Sequence, residues 1–218
     1  MIVTGLQLQC LVSNPVHPVL APLSHDLAIR SDGSKKKSEL LRESRDYYIK
    51  LESFGTNSSD VYERILEVSN ALEDNKTFLK YAKKNAETFP YDRQYYNLSV
   101  AYFNVEDYQG VIKAMKEAVD KFRSSSFIGS FYRQLGRAYM KVDRDQTAEK
   151  TLYAGLAAAD KKIAELRKSS VDYKSSADFL RLKDDKIGIL VSLKNIHTRY
   201  KADDKLADVE KKLKELGR

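Results

Sequence analysis

Residues 92 to 123 and 129 to 160 lie over one another as two helix-turn-helix units, and this internal repeat constrains the fold more than any other feature of the chain. The first unit reads DRQYYNLSVAYFNVEDYQGVIKAMKEAVDKFR and the second GSFYRQLGRAYMKVDRDQTAEKTLYAGLAAAD. In the first, Tyr95, Leu98 and Tyr102 recur at helical spacing, and Met115 and Ala118 follow on a second helix. In the second, Tyr132, Leu135, Gly136 and Tyr139 are followed by Ala148, Leu152 and Gly155. Small residues fall where two helices must approach closely. A unit of this size cannot bury its apolar face alone, so units of this kind stack.

The pattern resembles the tetratricopeptide repeat, a helical hairpin of about 34 residues. Departures are mild: Ser99 stands for the small glycine, Val111 for the second-helix alanine, Gly155 for a further alanine, and Arg123 where proline often closes the unit. A looser match covers about 60–90, with Tyr62, Ile65 and Leu66 on one helix, Phe78, Tyr81 and Ala82 on the next, and Pro90 at its end. The resemblance implies an all-α fold, a short right-handed α-solenoid of hairpins with capping helices at about 177–216.

In that family the first helix of each hairpin lines a concave groove that holds a peptide. Carried over by register, the groove positions are Arg93, Tyr96, Asn97, Val100, Phe103 and Asn104 in one unit, and Ser130, Arg133, Gln134, Arg137, Met140 and Lys141 in the next. The looser unit adds Glu63 and Glu67. The version of the repeat that clamps chaperone C-termini is matched by Asn97 but not by these glutamates, which stand where it carries lysine and asparagine. The resemblance therefore implies a non-enzymatic scaffold or adaptor that binds a peptide or helix, acidic if it is to suit the arginines.

Only 4 prolines and 9 glycines interrupt 218 residues, and long stretches mix Leu, Ala, Lys and Glu, which is a helical composition. The net charge of +7 opens an alternative, a basic module that binds nucleic acid or an anionic surface, although 31 acidic residues are interspersed. A single cysteine, Cys10, excludes an intramolecular disulfide and a Cys-rich metal site, and a reducing, cytoplasmic setting is the default. The first 30 residues lack the continuous apolar core and cleavage site of a secretory signal, and no stretch is long enough to span a bilayer. A lipid anchor at Cys10 and an organelle transit segment are the alternatives.

The SDGSKKK stretch, 31–37, reads as a linker, which makes 1–37 a flexible or loosely docked tail and 38–218 the helical domain. A first helix is expected over 38–52 on Leu40, Leu41, Tyr48 and Leu51, and Asp60 with Glu63 suggests the cap of the next. The last helix of the second unit runs on toward Ser169. Ile189, Leu193, Ile196 and Tyr200 mark a helix over 177–201. From Asp203, the stripe of Leu206, Val209, Leu213 and Leu216 suits an end cap or a short self-associating seam, and the cap is preferred because two heptads alone rarely hold a dimer.

No motif for catalysis, metal or cofactor is present: HExxH, GxxxxGK, GxGxxG and GxSxG are all lacking, and His17, His25 and His197 are scattered. Ser34 to Lys37 spells SxxK without a structured helix start. Asn57, Asn75 and Asn97 head glycosylation tripeptides in a chain without a secretion signal. A helical enzyme with an unrecognised carboxylate site is the third reading.

Overall fold

A computed structural model describes residues 34–218. The expectations for the tail, with Cys10, His17 and His25, lie outside the described residues. Where the sequence suggested one helical domain over 38–218, the chain divides into two compact units that meet at Phe89 and Pro90.

The first unit contains α1 (Ser34–Ser53), α2 (Ser59–Ala71) and α3 (Asn75–Thr88). Helix α1 starts four residues before the expected 38, so Lys35, Lys36 and Lys37 form its first turn instead of a linker. Nothing from Ser34 onward breaks a helix, and the last breaker is Gly33. Leu41 of α1 packs on Val68 of α2, and Tyr62, Ile65, Phe78, Tyr81 and Ala82 are buried along the α2–α3 hairpin. The cap of α2 is Ser58, whose hydroxyl accepts the Val61 amide at 3.2 Å, and not Asp60. A hydroxyl in the N-cap position reaches a free amide of the first turn, while Asp60 already lies inside the helix.

The second unit contains α4 (Asp92–Asn104), α5 (Tyr108–Lys121), α6 (Ile128–Lys141), α7 (Asp145–Ser169), a 3-10 turn (Tyr173–Ser175), α8 (Ala177–Arg199) and α9 (Asp203–Glu215). One core runs through it. Tyr95, Val111, Met115, Phe131, Leu135, Leu152, Ile189, Leu193 and Val209 all belong to it. Val209 and Leu213 turn the stripe of α9 onto this core, with Leu216 packed beside them. Tyr200, expected in the stripe of α8, is instead an exposed C-cap residue.

Four non-glycine residues among those described adopt positive φ: Glu73 (56°), Glu106 (58°), Asp143 (56°) and Lys201 (51°). Each is the middle residue of a three-residue turn, in α2–α3, α4–α5, α6–α7 and α8–α9. The residue after it donates its amide to a carbonyl five positions back at 2.9 Å in every case, from Asp74 to Ser69, Asp107 to Tyr102, Arg144 to Tyr139 and Ala202 to His197. One backbone device therefore closes four hairpins, including the loosely matching 60–90 and the expected capping helices. A side chain in this left-handed region costs about 1–2 kcal/mol. Glu106→Gly is expected to raise stability by about 0.5–1 kcal/mol, since the gain exceeds the entropy glycine adds to the unfolded chain. A shift of the urea midpoint to higher concentration measures it.

Candidate binding groove

The first helices of the two clear hairpins, α4 and α6, carry the positions assigned to a ligand, and their side chains meet on one face. Tyr96 of α4 is half-buried and packs on Phe127, the residue that precedes α6, with ring centroids 5.6 Å apart. Arg181 of α8 covers the other ring, its guanidinium carbon 4.0 Å from the Phe127 centroid, and is tied to Ser126 and Asp178 at 3.0 Å each. Two turns along α4, Phe103 packs edge-on against Tyr108 at 5.5 Å. Arg137 of α6 lies over Phe103 at 4.8 Å and Lys141 over Tyr108 at 5.9 Å. Contacts of this kind hold a cation in place while leaving its far side to solvent.

Arg137 draws the group together. Its guanidinium donates to Gln134 Oε1 at 3.1 Å and no carboxylate among the described residues pairs with it. Partial desolvation, and then the neighbouring charge of Arg133, push its pKa below the ordinary arginine value, and Tyr96 acts the other way. The residue as a whole stays exposed.

Arg133 is placed differently. Asp185 of α8 holds it at 3.3 Å and also accepts a hydrogen bond from the Ser130 hydroxyl at 2.5 Å. Backbone comes unusually close here: a Cβ on Gly129 would lie 3.0 Å from Asp185, and one on Gly188 would lie 2.7 Å from the Arg133 side chain. Ser130 and Gln134, expected in the groove, are buried at 2% and 3% exposure. For Ser130 the physical reason is α8, which packs on this stretch of α6 and places Asp185 against its hydroxyl. Arg93, Asn104 and Lys141 are exposed, and Asn97, Val100 and Met140 half-buried. Glu63 and Glu67 belong to the first unit, where Glu67 pairs with Arg64 at 2.8 Å.

Burial raises the Asp185 carboxyl above the usual carboxylate range, opposed by the charge of Arg133 and the Ser130 hydroxyl. A raised carboxylate favours the fold fully below the unfolded aspartate value of about 3.9, and this stability is lost as pH rises through the folded pKa. Relative to Asp185→Asn, the wild-type chain is therefore expected to lose stability as pH rises above about 4, and the gap between their urea midpoints at successive pH values reads it directly.

Phe127, Arg181 and Tyr108 also belong to this face, and no local pattern marks them because all three lie outside the groove positions of the repeat. A second polar cluster joins α7 to the end of α8. Asp145 accepts from Arg199 at 2.6 Å and from Tyr200 at 3.0 Å, and His197 meets Glu149 at 3.2 Å. His197 is 1% exposed, so it is a packed histidine that ties two helices. Among the described residues no group of three or more His, Cys, Asp or Glu side chains is placed to hold a metal ion, and no helix is long and apolar enough to cross a membrane.

No protein-family model matches the sequence, and no curated protein does either. Solved structures do match. Two structures of a putative kinesin light chain with nearly identical TPR-like repeats from Podosopora anserina align with TM-scores of 0.59 and 0.57, at 13% and 12% identity. Each alignment covers 92% of this chain, and 95% or 96% of the other. The fold is a tetratricopeptide-like α-solenoid. MamA aligns at a TM-score of 0.49 and 15% identity, over 74% of this chain and 94% of its own. In the tetratricopeptide register Tyr95, Ser99, Leu135, Gly136 and Tyr139 are packing positions, and all five are buried. Of the four positions offered for a ligand, Tyr96 and Phe103 are half-buried against the core, Arg133 is held by Asp185, and Arg137 stays exposed.

Proposed function

We propose that the chain is a non-enzymatic scaffold or adaptor that holds a segment of another protein against α4 and α6. The observation that carries this reading is the convergence of Tyr96, Phe103, Arg133 and Arg137 on one face, where Arg137 stays exposed over the Phe103 ring. Aromatic and arginine side chains that are oriented before binding lose little entropy on contact, and they dominate the energetics of protein interfaces. A chain with one cysteine suits a reducing, cytoplasmic setting.

Capture of partners from native lysate tests the reading, with wild-type chain beside a Tyr96→Ala/Arg137→Glu variant of equal thermal stability. Loss of two anchors is expected to weaken capture by more than about thirtyfold, corresponding to about 2 kcal/mol or more. Equal capture by both proteins would move the site off this face.

One observation favours the second reading, a basic module for nucleic acid. Residues 90–218 carry 26 basic and 19 acidic side chains, whereas 1–89 carry 12 of each, so the whole net charge of +7 belongs to the second unit. A nucleic-acid binder would show affinity that falls steeply with salt.

A further inference from the structure

The charged end of the α4–α6 face has a spacing that specifies its ligand, and the inference rests on the groove reading above. Arg133, Arg137 and Lys141 follow one another at intervals of four along α6. Such neighbours share a helix face and rise about 6 Å per step. Asp185 already holds Arg133. Arg137 and Lys141 have no carboxylate partner among the described residues, and each lies over one ring of the edge-packed pair Phe103 and Tyr108. These are two open cations on an aromatic support, at a set interval, in the unit that carries all the excess positive charge.

We infer that Arg137 and Lys141 together recognise two carboxylates at alternate positions of an extended acidic segment in the partner protein. Alternate side chains of an extended chain point the same way and stand about 6.6–6.8 Å apart, which matches the four-residue rise of about 6 Å along α6 to within about 1 Å. The flexible lysine stem takes up the difference. Arg137 offers a fork for bidentate contact with one carboxylate, and Lys141 offers a point charge for the other. Arrival of a carboxylate at Arg137 also offsets the repulsion from Arg133. The residue between the two acids points away from α6 and is left unconstrained.

Single-stranded nucleic acid fits this shelf less well. Its usual affinity comes from bases stacked on open aromatic faces, and here Phe103 and Tyr108 contact each other and each already carries a cation. A base would have to displace a cation to reach a ring. A carboxylate approaches the same cation from the solvent side and leaves the ring contact intact.

The test uses the full chain and two labelled peptides of about 12 residues, identical except for Glu-Ser-Glu or Gln-Ser-Gln at the centre, with binding followed by fluorescence anisotropy. The glutamate peptide is expected to bind at least about tenfold more tightly, in line with charge-assisted hydrogen bonds being about twice as strong as neutral ones. An Arg137→Gln/Lys141→Gln variant, checked for unchanged thermal midpoint, should bind both peptides equally and weakly. Arg137→Lys should retain part of the preference. Equal affinity for the two peptides, no binding of either up to millimolar concentration, or an unaffected double variant would overturn the inference. Displacement of the glutamate peptide by a thymidine oligonucleotide of the same charge would also overturn it, in favour of a polyanion site. Failure here is distinguishable from failure of the groove reading. A partner lost on Tyr96→Ala but kept by Arg137→Gln/Lys141→Gln would leave the groove in place and remove the carboxylate pair.

Discussion

Asp185→Ala is expected to destabilise the second unit by about 3 kcal/mol, the lower end of the cost of removing one partner from a buried ion pair. The lower end applies because Arg133 keeps 23% of its side chain exposed and recovers some hydration, whereas Asp185 is 2% exposed. Two groups lose their acceptor at once, the Arg133 guanidinium and the buried Ser130 hydroxyl. The same physics predicts that the loss is reversible by further substitution. In Ser130→Ala/Arg133→Met/Asp185→Leu no charge or hydroxyl is left without a partner, and stability should return to within about 1 kcal/mol of wild type, because a buried ion pair is seldom better than apolar residues of similar volume. Urea denaturation of the single and triple variants decides the point. If the triple variant is no more stable than Asp185→Ala, the unpaired Arg133 and Ser130 groups are not the source of the cost.

Gly155→Ala should cost about 2 kcal/mol although alanine is the better helix former by about 1 kcal/mol. A Cβ at residue 155 would stand 2.6 Å from the Tyr132 Cβ and 3.0 Å from the Ile189 side chain. The Tyr132 Cβ is fixed to the α6 backbone and cannot turn aside, so α6 and α7 would have to part. Gly136→Ala meets a softer neighbour, since the atoms at 2.5 and 2.6 Å belong to the end of the Leu152 side chain. The thermal midpoint of Gly155→Ala should fall well below that of Gly136→Ala, and the opposite order would show that propensity outweighs the contact.

That glycine shows what the sequence makes legible and what it hides. In the family comparison Gly155 reads as a mild departure from alanine, yet the structure gives it a cause, since the α6–α7 approach leaves no room for a methyl group. The positions that pack within hairpins were readable because they obey a local period: Tyr95, Met115, Ala118, Leu135, Tyr139 and Leu152 are all buried. Ser130 was misplaced because its burial depends on α8, with Asp185 lying 55 residues away, and no local pattern encodes such a contact. Phe127 and Arg181 escaped for the same reason. The start of α1 was missed because three lysines look like linker composition, although nothing in their chemistry ends a helix. The hairpin of α8 and α9 has no clear side-chain motif, and its kinship with the others lies in backbone conformation at Lys201, a residue type that announces no turn.

The four closing turns are each three residues long, whereas within the second unit the joints between hairpins take six residues at 122–127 and seven at 170–176. Length is therefore conserved inside a hairpin and released between hairpins. Each hairpin is a prefabricated part with a fixed closure, and the joints are the adjustable fittings, whose length can differ without reopening a turn that depends on one left-handed residue and one five-residue amide bond. The groove inherits this arrangement: Phe127 ends the six-residue joint and Ser176 ends the seven-residue one, just ahead of the turn of α8 that carries Arg181. On the groove reading proposed above, ligand preference is open to change through the fittings, at little cost to the parts they connect.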